Sequence, residues 1–140
     1  MADTFQLEVA TPERLFIDEQ VSEAELPGKN GYIGVLAGHA PLLSALGAGV
    51  LSYTAGSGRH FLALDGGFVE VFDNHVRVLA ERAEAGKDID AAAAHRELDE
   101  ANAALKSAHE KDTSEAAVAA IARAQARVDA AERASGRAGG

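Results

Sequence analysis

The sequence predicts an N-terminal antiparallel β-sandwich followed by a C-terminal antiparallel two-helix hairpin. Three observations carry that expectation. Up to Gly86, short apolar–polar alternations are separated by clusters of Gly, Pro, Asp and Asn. Beyond it the apolar spacing lengthens to three and four, alanine dominates, and aromatic residues cease. The break at Gly86 divides the chain into an expected sandwich domain, residues 1–86, and an expected helical domain, residues 87–140.

Phe5, Leu7 and Val9 alternate with Gln6 and Glu8, the period-two pattern of a half-buried strand. Thr11-Pro12-Glu13 reads as a turn. Phe16 to Leu26 is a second extended run, with Asp18, Glu19, Glu23 and Glu25 on or near its solvent side. Pro27-Gly28-Lys29-Asn30-Gly31 is a strong turn cluster. The stretch Gly31 to Leu43 then reads as a short strand, a sharply shaped loop and another apolar run. Gly47-Ala48-Gly49 leads into Val50–Thr54, and Gly56-Ser57-Gly58 turns the chain into Arg59–Leu64. Asp65-Gly66-Gly67 is a hairpin signal before Phe68–Phe72. Asp73-Asn74 turns once more, and His75 to Ala80 alternates Val76 and Val78 with Arg77. Many short strands at near-regular spacing predict an antiparallel sandwich.

In the helical part, Ala91, Ala94, Leu98, Ala101, Leu105 and Ala108 share one helix face, and Asp88 stands where an N-cap is expected. Lys111-Asp112-Thr113-Ser114 breaks the run, and Asp112 with Glu115 has the spacing of a capping box. Val118, Ile121, Ala124 and Val128 line the second helix. An alanine seam allows close approach but buries little apolar area, so the hairpin is expected to be marginal by itself.

The 140 residues carry a formal net charge of −9, which argues against a nucleic-acid binder. Cysteine is absent, so disulfide, thiolate and Cys-metal chemistry are excluded. Apolar runs fall short of the ~20 residues that cross a bilayer. The N-terminus enters strand-like sequence at once, so no leader is expected. Work at a membrane would require a partner. The glycines around His39 do not form a phosphate cradle, because Pro41-Leu42-Leu43-Ser44 opens no long helix. No Ser sits in a nucleophile elbow. The pairs Asp18-Glu19 and Glu97 with Asp99-Glu100 have polar neighbours and read as solvated faces. His60, His75, His95 and His109 lack metal-ligand spacing. His39 reads from the residues as a turn histidine or as a partner-facing one. Two further readings stand beside these. One is a small β-sandwich ligand-binding module with a helical oligomerisation tail. The other is an enzyme using His39 with an acidic partner.

The stretch Gly31-Tyr32-Ile33-Gly34-Val35-Leu36-Ala37-Gly38-His39-Ala40-Pro41-Leu42 resembles the ε subunit of F-type ATP synthase. Phe5–Val9, Gly66–Val71 and a helical tail opening at Ile89-Asp90 fall where that family has them. The resemblance implies a non-catalytic subunit without metal, cofactor or nucleic-acid partner. It implies a sandwich in the central stalk, with Tyr32 and His39 toward the c ring and Thr11, Leu42, Leu43 and Ser44 near the γ subunit. The hairpin would be a regulatory arm that extends along γ into the α/β catalytic hexamer and hinders ATP hydrolysis. Residues 113–140 hold four basic residues against three acidic ones, so that inhibition is expected to be modest. Members of the family bind ATP through Ile/Leu-Asp-x-x-Arg-Ala and arginines of the second helix. The matching residues are Ile89, Asp90, Arg123 and Arg127, but Ala93 stands at the arginine position and Arg96 lies a turn later. ATP binding is therefore expected to be weak or absent. Membrane contact would come only through the complex, on the cytoplasmic side of a bacterial inner (plasma) membrane.

Overall fold

The computed structural model describes residues 3–56, 58–107 and 115–136. The expected break at Lys111–Ser114 with its Asp112 cap, and Ala108, His109 and Arg137, lie outside the described residues. Seven strands precede two helices. They are β1 (Phe5–Ala10), β2 (Leu15–Val21), β3 (Glu23–Gly28), β4 (Gly31–Leu36), β5 (Leu42–Ala55), β6 (Gly58–Phe72) and β7 (His75–Ala85). A 3₁₀ turn at Gly86–Asp88 leads to α1 (Ala91–Ser107) and α2 (Glu115–Ala134). The strands form one hydrogen-bonded sheet in the order β2-β1-β7-β6-β5-β3-β4. Every pairing is antiparallel except β1 with β7, which is parallel.

One sheet becomes two layers because its long strands turn a corner. Across β5 and β6 the register runs Leu46↔Gly67 and then Ala48↔Asp65, so Gly47 and Gly66 bulge together. Glu81 of β7 is passed over in the same way, between Asp65↔Arg82 and Gly67↔Ala80. Gly66 and Gly67 have φ of 73° and 118°, which L side chains avoid. A Cβ on Gly67 would lie 2.0 Å from the Leu79 carbonyl oxygen. The Asp65-Gly66-Gly67 signal is thus no hairpin, as the sequence led us to expect, but a bend inside a continuous strand. The hairpin turn that follows β6 is the two-residue Asp73-Asn74, both with positive φ. The expected run Phe16–Leu26 also divides. At Ser22 the backbone N–H leaves β1 and donates to the Thr54 carbonyl at 2.9 Å, carrying the chain into the second layer.

Between the layers lie Phe5, Leu7, Val9, Val21, Leu26, Leu51, Leu64, Val69, Val76 and Val78, all buried. Each contributes ~1.5–3 kcal/mol from area removed from water. A second, smaller core joins α2 to the outer face of one layer, through Val50 and Ala63 against Ala126, Val128, Ala130 and Ala131. Small residues let the backbones approach: a Cβ on Gly86 would sit 2.3 Å from the Ala130 carbonyl oxygen. Two expectations change here. Asp88 lies in the 3₁₀ turn, and the cap of α1 is Asp90, whose Oδ1 accepts from the Ala93 N–H at 3.0 Å. Buried Ile89 separates the two, so the helix starts later than the spacing suggested. Val118 is exposed, because the buried residues of α2 run only from Ala124 to Ala131.

Candidate functional site

Two faces and one loop cluster stand out. On the layer away from the hairpin, outward residues align across four strands. Ala10 pairs with Leu79, Leu79 with Phe68, and Phe68 with Ala45. Phe68 and Leu79 are 57% and 56% exposed, and Leu43 beside them is 74% exposed. Three large apolar side chains on one uncovered face are unlike scattered surface leucines. Arg77 borders them, held by Glu8 at 3.6 Å and Glu70 at 4.0 Å. Thr11 and Pro12 close the other side of the strip, where a cleft of about 570 Å³ opens.

The loop after β4 is docked rather than loose. The Gly38 N–H donates to Asn74 Oδ1 at 2.9 Å, and Asn74 Nδ2 donates to the Thr4 carbonyl at 2.7 Å. One turn side chain thereby ties the loop to the N-terminus of β1. His39 is half-buried, with Nδ1 2.6 Å from the Ala40 carbonyl oxygen. Tyr32 opens β4 and is 54% exposed, yet its hydroxyl accepts the Val50 N–H at 3.0 Å. Leu36 ends the same strand, 62% exposed.

The third feature is a cleft of about 520 Å³ between the sheet and the hairpin. Arg127 of α2 bridges its walls. It donates to Glu84 of β7 at 2.8 Å and also to Glu97 of α1. The hydrogen bond to Glu84, with the charges of both carboxylates, holds the guanidinium above the ordinary arginine range against partial burial. Arg123, one turn earlier, faces Asp65 at 3.8 Å. His95 and Glu132 join the helices at 2.9 Å farther along. Every arginine that α2 presents to this cleft is already matched by the protein's own carboxylates.

Among the described residues no three His, Asp or Glu side chains converge as a metal site. Nor is any helix there long and apolar enough to cross a membrane. The sandwich, residues 4–86, matches the family described as ATP synthase, Delta/Epsilon chain, beta-sandwich domain. The ATP synthase epsilon chain of Solibacter usitatus (strain Ellin6076) is 47% identical over 134 residues, spanning 95% of this chain and 99% of the relative. That of Nitratidesulfovibrio vulgaris (strain DP4) is 44% identical over 128 residues, spanning 91% and 96%. The chain belongs to the ATP synthase ε-chain family. It is a subunit of the rotary complex and part of its central stalk. A chain of the Euglena gracilis mitochondrial ATP synthase OSCP/F1/c-ring complex shares the fold, with a TM-score of 0.77 at 23% identity, over 96% of this chain and 82% of that one. The Tetrahymena thermophila mitochondrial central stalk/c-ring structure aligns more loosely, with a TM-score of 0.55 at 14% identity over 92% and 94%.

Against this ε-chain background, the residues singled out by sequence fall in three places. Leu43 belongs to the apolar strip and Thr11 borders it, whereas Leu42 packs against the core and Ser44 is half-buried on the inward parity. Tyr32 lies at the start of β4 and His39 just beyond its other end, with roughly 13 Å of strand between Tyr32 and Leu36. Arg123 and Arg127 share the hairpin cleft, but Ile89 is buried elsewhere and Asp90 caps α1. Sequence reading missed Phe68 and Leu79, although their outward parity beside Val69 and Val78 was available. It also missed Asp65, Glu84 and Glu97 as partners of the arginines. Glu97 in particular had been read as a solvated carboxylate, and no local pattern names a partner thirty residues away.

Proposed function

We propose that this ε chain couples γ to the c ring without performing bond chemistry, and that its hairpin restrains ATP hydrolysis modestly. The observation that carries the γ assignment is the uncovered strip of Leu43, Phe68 and Leu79, with Thr11 at its border. Burying three such side chains is worth several kcal/mol before the costs of association. The β4 side, with Tyr32 and His39 at its two ends, would meet the c ring. A loop held by Asn74 suits transmission of torque, because it yields little under load. Membrane contact comes through the complex alone, on the cytoplasmic side.

The hairpin is the arm that would extend toward the α/β hexamer. Its closed form has ion pairs and an alanine seam to break, not a large apolar core. Nucleotide has little to bind: Ala93 offers no guanidinium, and Arg127 is occupied by Glu84 and Glu97. ATP would have to displace two carboxylates and meet Glu100 in the same cleft.

Single cysteines in the assembled enzyme test the reading. Cysteine at Phe68 or Leu79 should crosslink to γ, and cysteine at Tyr32 or His39 to c. Cysteine at Lys106 of α1 should reach neither while the hairpin is closed. Uniform crosslinking from all positions, or γ products from Lys106 alone, would remove the assignment.

A further inference from the structure

Two groups stand out among the described arginines, although Arg82 and Arg96 fall in neither and Arg77 also lies over Phe72 at 5.5 Å. Arg77, Arg123 and Arg127 are neutralised by carboxylates. Arg14, Arg59 and Arg133 have no carboxylate within 4.0 Å among the described residues, and each lies instead over an aromatic ring. Arg14 sits 4.6 Å from the Phe16 centroid. Arg59 and Arg133 share Phe61, at 5.6 and 4.7 Å. A ring positions a guanidinium without neutralising it, and leaves the N–H donors at its edge available.

Phe16 and Phe61 line one cleft of about 500 Å³, between β2, the β5–β6 end of the sheet and the C-terminal end of α2. Arg59, His60 and Lys87 line it too. His60 is stacked on Tyr53 at 5.0 Å, and Arg59 is fixed further by donating to Ser52 Oγ at 3.1 Å. Ser52 is 1% exposed, so that hydrogen bond anchors Arg59 to the layer itself. Among the described residues the one carboxylate lining the cleft, Glu19, accepts the Tyr53 hydroxyl at 2.9 Å. In a chain of net charge −9, Arg59 and Lys87, neither paired with a described carboxylate, line one small-molecule-sized, half-apolar cleft, and Arg133 reaches it over the ring of Phe61.

We propose that this cleft is a site for a phosphate-bearing anion with an apolar body. The phosphate would lie between Arg59 and Arg133, whose planar forks suit its oxygens, with Lys87 and His60 at the rim. The apolar body would lie against Phe16 and Ile17. An anion there relieves the repulsion of two guanidiniums sharing one ring, which no described carboxylate does. The site is separate from the hairpin cleft that holds Arg123 and Arg127, and it does not depend on the coupling role.

The test is a ¹⁵N NMR titration of the full chain at constant ionic strength. Sodium pyrophosphate is one probe and vesicles containing phosphatidylglycerol, read by co-sedimentation, are the other. Pyrophosphate should shift amides around Arg59, Phe61, Lys87 and Arg133 with a submillimolar midpoint. Arg59→Ala and Arg133→Ala should each weaken it at least ten-fold, and Lys106→Ala should not. Because Arg59→Ala strips the partner from buried Ser52, Arg59→Lys and Arg133→Lys serve as milder variants, losing the fork but not the charge. Arg59-dependent retention on vesicles, beyond what pyrophosphate binding gives, assigns the phosphate to a lipid headgroup; pyrophosphate binding without vesicle retention assigns a free phosphate compound. No shift at millimolar pyrophosphate, or shifts that survive both arginine variants, overturn the site.

Discussion

At the scale of single residues, the fold hangs on a few positions whose chemistry cannot be exchanged. Gly67 combines φ of 118° with a carbonyl oxygen 2.0 Å from where a Cβ would be. Gly67→Ala should cost 3 kcal/mol or more, at about the upper end of single substitutions, and appear as a lost or much lowered thermal transition. Tyr53 is a different case. Burial, then the hydrogen bond to Glu19, raises its phenol above the ordinary 10.0. The folded chain therefore holds this proton more tightly than the unfolded chain does. The contribution is complete below pH 10 and drains as pH rises toward the folded value. Tyr53→Phe should lose about 1 kcal/mol at neutral pH and show a shallower fall in stability above pH 10, read by urea unfolding across pH. An unchanged alkaline slope would count against the Tyr53–Glu19 pair as its source.

At the scale of elements, the hairpin is held to the sandwich by Arg127 and by a seam of small residues. Glu84 and Glu97 are about half exposed, so the two ion pairs are screened and together worth about 1 kcal/mol. Arg127→Ala should raise hydrogen exchange of α1 and α2 amides roughly five-fold and leave β5–β7 protected. The wild-type hairpin should loosen in the same way as salt rises from low to high ionic strength. Equal loosening of the sheet would mean that hairpin and sandwich open as one unit. The junction itself is tighter than its composition suggests. Gly86 and Ile89 are buried under α2, while Lys87 between them is exposed.

At the scale of the whole molecule, that junction sets what proteolysis should find. Cleavage at Lys87 would require α2 to lift. Trypsin should then produce a stable fragment of roughly residues 1–87 faster for Arg127→Ala than for the wild type. Early cuts within residues 15–80 would refute the division at Gly86. Deleting residues 87–140 uncovers Val50, Phe61 and Ala63 but leaves the inter-layer core whole. Assembly and proton-driven synthesis should survive, and ATP hydrolysis should rise by a few-fold at most. A hundred-fold rise would make the hairpin a dominant brake, and loss of coupling would make it structural.

Periodicity and turn chemistry determined much of this protein by themselves. Alternation placed the strands, the change of spacing at Gly86 placed the helices, and the Gly-His-Ala-Pro loop pointed to the family before any coordinate. These signals are local, carried by neighbours within a few residues. What only the tertiary structure decided is non-local. Gly66-Gly67 could end a hairpin or bend a strand, and the continuing pairing with β5 and β7 chose the bend. Asp88 and Asp90 could each cap α1, and burial of Ile89 chose the second. Glu97 and Glu19 looked like solvent-facing acids until Arg127 and Tyr53, thirty and thirty-four residues away, came within hydrogen-bonding reach. Which cations are neutralised and which rest on rings follows from the same three-dimensional placement, because a charge is compensated by whatever the fold brings beside it and not by its neighbours along the chain.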